Sequence, residues 1–323
     1  MRRAMLNRFF LPLAAVFIVG SLGLGAAALA QGQRFPAIGP LPPVSVPADN
    51  PMSPEKVELG KLLFFDPRLS GDASTSCASC HNPKAGWGDG GDLSRGYPGT
   101  QHWRNSQTVL NAAYYQKLFW GGEMTSLEAQ AASAATGNVA GNGDEMMMEE
   151  RLRQIPEYVN RFRRVFGLEW PTIGTAWMAI AAFERTLVSK AENVPFDRFM
   201  KDDKKALSES AQRGLSLFQG KAACIQCHNG PLFSDDSYHN LGVPQNEAFK
   251  DDPLRQITLR FQHASRGVPE EVYRRADRDL GLYYTTKQEA DKGKFRTPSL
   301  RELKYTAPYM HNGVFFTLEE VVD

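Results

Sequence analysis

The chain has 323 residues, 42% of them hydrophobic and 23% charged, and a formal net charge of +1. That is enough length and apolar content for two packed domains, and it excludes a disordered chain and a strongly basic nucleic-acid binder. No glycine-rich phosphate loop and no hydrolase or kinase signature occurs.

The N-terminus reads as an export signal. Arg2, Arg3 and Arg8 flank an uncharged tract, Phe9–Ala30, which ends in the small-x-small pattern Ala28-Leu29-Ala30. Such a tract could span a bilayer uncleaved, but its Ala- and Gly-rich end favours cleavage. Residues 1–30 are therefore assigned to a cleaved signal peptide. No lipidation cysteine stands at the cut, so the product is periplasmic and meets the membrane only through its export signal.

Residues 31–52 are proline-rich and read as an extended arm. An internal repeat follows. Its first copy runs Ser53-Pro54-Glu55, then Gly60-Lys61-Leu62-Leu63-Phe64, then Cys77 to Asn82. Its second runs Ser208-Glu209, then Gly214-Leu215-Ser216-Leu217-Phe218, then Cys224 to Asn229. In each copy a serine caps a short amphipathic helix.

Each copy ends on Cys-x-x-Cys-His: Cys77-Ala-Ser-Cys80-His81 and Cys224-Ile-Gln-Cys227-His228. These are the only four cysteines, and the chain has only six histidines, so a histidine after both pairs is a strong signal. The spacing suits c-type haem. Thiols at i and i+3 form thioethers with the two haem vinyl groups, and the adjacent histidine ligates the iron. Redox disulfides and a four-cysteine zinc site leave both histidines unused. With all four thiols consumed, no disulfide remains.

Between the copies, residues 82–100 read as loop, and 126–135 and 173–191 as helices. Trp177, Ile180, Ala181 and Leu187 mark the second as core-facing. Pro195 closes it, and a domain boundary falls near 200–207. Residues 254–280 carry Arg255, Arg260, Arg266, Arg274, Arg275 and Arg278 among acids and read as a solvated helical insertion. No strand-rich region is present. The expected fold is mostly α, with two cytochrome c-like helical domains, 31–205 and 206–323, and one covalent haem in each. Two haems leave an electron carrier, an enzyme and a haem sensor open, since the sixth iron ligand decides.

Further motifs narrow the choice. They are Gly60-Lys-Leu-Leu-Phe-Phe-Asp-Pro67, Arg104-Asn105-Ser106-Gln107-Thr108, Phe119-Trp120-Gly121-Gly122, Phe183-Glu-Arg-Thr-Leu187, Phe295-Arg-Thr-Pro-Ser-Leu-Arg301 and Thr306-Ala-Pro308-Tyr-Met310-His311-Asn-Gly313. In this order around both haem motifs, from Pro54 to Asp323, the chain resembles the bacterial dihaem cytochrome c peroxidases, including the MauG-type branch. The resemblance implies reduction of hydrogen peroxide to water with electrons from a small cytochrome c or cupredoxin. The alternatives are MauG-type oxidation of a protein side chain and a plain dihaem electron carrier. A homodimer is compatible with it. The haem on His81 would react with peroxide, and the haem on His228 would receive electrons.

The resemblance also assigns residues. Glu145 is similar to the family's pocket glutamate, a general acid/base for O–O cleavage, with Gln130 as its companion and Glu128 as the next carboxylate to test. Trp120 is similar to the tryptophan between the haems, and His311 belongs to a haem-binding motif. Asn105, Thr306 and Pro308 match the positions that ligate an interdomain calcium through oxygen. The family usually continues Trp-Asp-Gly-Arg; here Glu123 replaces the arginine and leaves the local electrostatics open. Tyr97 stands where the peroxidases carry a histidine that blocks the first haem, with His102 the less suited substitute, so an open first haem is expected. Met310 reads as pocket packing. The family's distal ligand to the second haem, Met or Tyr, would fall beyond Asp323, so the sequence reads as truncated.

The expected outcome for the exported protein is two covalent haems, checked by pyridine haemochrome assay and intact mass. Haem extracted by acidic solvent would contradict it.

Overall fold

The computed structural model describes residues 35–97, 99 and 101–323. The signal peptide assigned to residues 1–30 lies outside them. Residues 35–52 run without a helix, as an arm. Helix α1 (Pro54–Phe64) starts where Ser53 accepts from the Lys56 amide at 3.2 Å and Pro54 takes the first turn, which needs no N–H donor. Helix α2 (Cys77–Cys80) is one turn carrying the first haem motif.

Then come α3 (Leu127–Thr136), α4 (Glu145–Arg153), α5 (Pro156–Phe166) and α6 (Ile173–Glu184). Leu59, Leu63 and Phe64 of α1 pack with Met148, Leu152, Phe162, Ile180 and Phe183 in the main core. The closest approach is at Gly60, where a Cβ would stand 1.8 Å from the Ala179 carbonyl oxygen. This glycine, which recurs in both repeat copies, therefore serves helix contact in the first.

The sequence reading holds for this region with two adjustments. Helix α6 ends at Glu184 with Arg185 as its cap, so Leu187 lies beyond it. Pro195 does not close a helix; it opens α7 (Pro195–Met200), the position where its missing N–H costs nothing. Helix α8 (Glu209–Gln219) begins the second copy, with Ser208 accepting from the Ala211 amide at 3.2 Å. Its second haem motif sits on a short 3-10 turn, Cys224–Gln226.

The remaining elements are short apart from α10. They are β1 (Tyr238–His239), α9 (Glu247–Lys250), α10 (Pro253–Ser265), α11 (Glu270–Tyr273), α12 (Tyr283–Thr286), β2 (Phe295–Arg296) and α13 (Leu318–Val322). The two strands pair antiparallel, Tyr238 with Arg296 and His239 with Phe295. The fold is mostly helical, as expected.

Segment 254–280 is not a solvated appendage. Phe249, Leu259 and Ala276 bury themselves against Leu93 and Trp103 of the loop that follows the first haem motif. Charge did not mark the exposed face: Arg255 and His263 of α10 are buried, while Leu254, Ile257 and Phe261 are exposed. Arg301 ties three distant segments. It pairs with Asp197 of α7 at 3.0 Å and donates to the Pro231 and Gly39 carbonyls at 2.7 Å each. Phe35–Asp323 accordingly hold together as one contact unit. Among the described residues, no helix is long and apolar enough to cross a membrane.

Gly60→Ala is expected to separate α1 from α6 and destabilise the protein by roughly 1–3 kcal/mol, read as a shift in denaturant midpoint with both haems retained.

Candidate haem-binding site

Both Cys-x-x-Cys-His motifs use the same local device. In the first, Ser76 and Ser79 form a capping box that turns residues 77–80 into a helix, so the two thiols lie one turn apart. The His81 amide donates to the Cys77 carbonyl at 3.0 Å, and its ring Nδ1 donates to the Trp87 carbonyl at 3.1 Å. In the second, the His228 amide donates to the Cys224 carbonyl at 2.9 Å and its Nδ1 to the Phe233 carbonyl at 3.0 Å. A carbonyl on Nδ1 fixes the tautomer and leaves Nε2 with its lone pair, the atom a haem iron needs. Burial lowers the pKa of both histidines, which favours this neutral form.

No disulfide forms between the four cysteines. Burial, reinforced by Glu184, pushes the Cys77 thiol up to about 12, and burial pushes Cys80 up to about 11. These are not activated thiolates; they are apolar-wall thiols suited to permanent thioethers.

A cavity of about 440 Å³ is lined by Cys77, Cys80 and His81 on one side and by His228 on another. Trp120, Gln130, Asn105, Thr306, Pro308 and Met310 also line it. The Cys, Cys and His of each motif, with Nε2 left free, fit one covalent haem each, and the mostly apolar cavity lies beside the first motif and reaches His228 of the second. The second copy supports the fit from its packing: α8 buries none of its eleven side chains.

Trp120 is 8% exposed, and its Nε1 donates to the Asn105 carbonyl at 3.0 Å. His311 meets it edge-on, with centroids 6.4 Å apart, and stacks on Phe295 at 3.6 Å. His311 is therefore placed against Trp120 and Phe295 and is not among the residues lining this cavity. Burial drives its pKa down to about 4, against Asp279, so it is neutral at pH 7.

Glu123, the acid standing in for the family's arginine, accepts from Arg104 at 2.9 Å. Arg104 also grips Asp279 at 2.5 and 3.1 Å. Burial pushes Asp279 up, but Arg104 outweighs it and holds it down at about 2. The electrostatics left open by the lost arginine are thus settled by Arg104, which takes both carboxylates.

Asn105 donates its side-chain amide to the Gly91 and Asp92 carbonyls at 2.9 and 3.2 Å, which leaves Oδ1 available. Thr306 and Pro308 stand on the same cavity wall, around a cis Ala307–Pro308 bond.

Glu145 is not in the cavity. It is the exposed first residue of α4, after its cap Asp144. The glycine-rich stretch before it folds so that Val139, Ala140 and Gly141 form the cavity wall instead. Glu128 is also committed elsewhere, paired with Arg185 at 2.8 Å and bonded to Asn50 at 2.7 Å. Tyr97 lies off the cavity, and its amide donates to the Ala140 carbonyl at 2.6 Å. His102 does line it, with Nε2 donating to the Val139 carbonyl at 2.7 Å.

The cavity carboxylate missed in the sequence is Glu184, 3% exposed, with no partner for Oε2 among the described residues. A lone acid closing the apolar helix Ile173–Phe183 was a legible signal. Asp279, buried among the many charges of 254–280, was not.

A family model of di-haem cytochrome c peroxidases matches residues 54–205. The cytochrome-c peroxidase IdrP1 of Denitromonas iodatirespirans is 62% identical over 304 residues, covering 94% of this chain and 81% of that protein. The methylamine utilization protein MauG of Methylorubrum extorquens is 40% identical over 86% of this chain and 70% of its own length. The crystal structure of a MauG-like protein associated with microbial copper homeostasis superposes with a TM-score of 0.72 at 32% identity, covering 88% of this chain and 79% of that one. The chain belongs to the di-haem cytochrome c peroxidase family and is an oxidoreductase of the cytochrome-c peroxidase class.

Glu145→Gln is expected to turn over peroxide at the wild-type rate. A loss of roughly 10²-fold or more, the worth of a positioned acid/base, would return Glu145 to the site.

Proposed function

We propose that the protein reduces hydrogen peroxide to water in the periplasm, drawing electrons from a small cytochrome c or cupredoxin, with one covalent haem c in each of two cytochrome c-like halves, 31–205 and 206–323. The observation that carries this reading is that each motif has its histidine fixed by a backbone carbonyl, and that His81 and His228 both line one cavity with Trp120. The relative named a cytochrome-c peroxidase is 62% identical, against 40% for the MauG protein, which favours peroxide over a protein side chain as substrate.

Haem bound at the two motifs would supply the redox chemistry for peroxide reduction and for electron transfer. The chain's own residues supply the rest. His81 and His228 present Nε2 to the two irons. Gln130 reaches the cavity from α3 and can hold peroxide by its amide. The indole of Trp120, buried and fixed through Nε1, offers an oxidisable π system between the two motifs. Of the cavity carboxylates, Glu123 is paired with Arg104, whereas Glu184 is unpartnered, and burial pushes it up to about 8. Glu184 is therefore the side chain that holds a proton there at neutral pH. Asn105, Thr306 and Pro308 supply oxygens for a calcium ion that pins the wall beside Trp120.

The bond from His102 to Val139 uses Nε2, so this histidine does not ligate iron while the bond stands. The oxidised protein is expected to bind cyanide or peroxide without prior reduction, seen as a shift of one Soret component. Binding only after one-electron reduction would defeat the open-site reading. Gln130→Leu is expected to lower kcat/KM for peroxide by roughly two- to tenfold, the worth of a hydrogen bond between neutral groups, with reduced small cytochrome as donor. No peroxide consumption by the wild-type protein with any such donor would overturn the proposal.

A further inference from the structure

We propose that Glu184 takes up a proton together with the electron that reduces the haem attached at Cys77, Cys80 and His81, and so makes the potential of that haem depend on pH. This rests on the two-haem reading above.

The argument starts from where α6 ends. Residues 173–183 are apolar or small, and Glu184 is carried inward with them to 3% exposure. It lines the cavity that holds Cys77, Cys80 and His81, and its Oε2 has no hydrogen-bond partner among the described residues. Glu184 and Cys77 line the same cavity, and the charge of Glu184 acts on the Cys77 thiol.

The charges around it are already matched. On its own chain turn, Arg185 is drawn to Glu128 of α3 at 2.8 Å. From α1, Lys56 donates to the Asn50 side chain at 2.9 Å and to the Pro51 carbonyl at 2.6 Å. From α2, Cys77 becomes an uncharged thioether once haem is attached. Glu184 thus faces the cavity without a dedicated counter-charge. Burial pushes its pKa up to about 8, Arg185 opposes this, and Glu128 reinforces it.

An oxidised haem iron in its porphyrin carries a net positive charge, and a reduced one does not. Across a dry cavity the positive charge favours ionised Glu184, and its removal favours the protonated acid. The two events are therefore reciprocal. The iron gains one electron from the donor, the Glu184 carboxylate gains one proton from solvent, and no other bond changes. Below the pKa of the oxidised state, Glu184 is protonated throughout and the potential is flat. Above the pKa of the reduced state, it is ionised throughout and the potential is flat again. Between them, in a window around the value given above, the potential falls as pH rises, by at most about 59 mV per tenfold change in proton concentration.

The test is a spectroelectrochemical titration of the full chain with both haems attached, from neutral to alkaline pH. The wild-type haem at His81 should lose potential across the window while the haem at His228 stays level, and Glu184→Gln should flatten the first. A flat wild-type curve, or a slope that survives in Glu184→Gln, overturns the proposal. Should Glu184→Gln not fold, redox-difference infrared spectra of the wild-type protein decide. A protonated-carboxyl band should appear on reduction and shift in D₂O, and its absence overturns the proposal. No peroxide enters these measurements. A sloped potential without peroxide turnover upholds the coupling and defeats the peroxidase reading, normal turnover with a flat potential does the reverse, and failure to attach haem at Cys77 and Cys80 overturns both.

Discussion

The buried grip of Arg104 on Asp279 and Glu123 is the interaction on which the rest of the site depends. Three charges are out of water here, joining the turn after the first haem loop, the Trp120 turn and the segment that follows α10. A buried cluster of this kind adds little net stability compared with apolar packing, but removing one partner costs about 3–5 kcal/mol because it strands a charge. Its value is positional. Asn105 follows Arg104 directly and holds the indole of Trp120 through its carbonyl, while Asp279 lies close enough to His311 to act on its charge. The wall between the two haem motifs is thereby set by electrostatics from three separate parts of the chain.

The haem motifs themselves depend on much less. A one-turn helix or 3-10 turn brings two thiols to one side, and a carbonyl five or six residues downstream orients the histidine. Both copies reach this geometry with different intervening residues, Ala-Ser in one and Ile-Gln in the other. The local device therefore tolerates sequence change as long as Cys, Cys and His keep their spacing. Around it the copies diverge: α1 is buried on one face by α6, whereas α8 buries none of its side chains.

Proton chemistry in the cavity is governed by pairing. Glu128 and Glu123 each pair with an arginine, whereas Glu184 is buried with no partner for Oε2 among the described residues, and burial pushes its pKa up to about 8. Glu145, on the exposed start of α4, does not line the cavity.

The amino-acid sequence by itself determined whatever depends on neighbours within about a turn. The serine caps at Ser53 and Ser208, the two haem motifs, the repeat and the helices around 127–136 and 173–184 all follow from short-range hydrogen bonding and apolar periodicity. The motifs that carry Trp120, Gln130, Asn105, Thr306 and Pro308 were legible through family resemblance, since they keep their order, but that all five line one cavity is a fact of the tertiary structure. Only the tertiary structure decided which carboxylate enters the cavity. The glycine-rich stretch 137–143 has no periodicity to register it, so alignment through it set Glu145 where the backbone sets Ala140. It also decided that His311 backs Trp120 and that the charged segment 254–280 has a buried face. These outcomes rest on desolvation and on pairing between residues far apart in the chain, such as Arg104 with Asp279, and neither property is written in local composition.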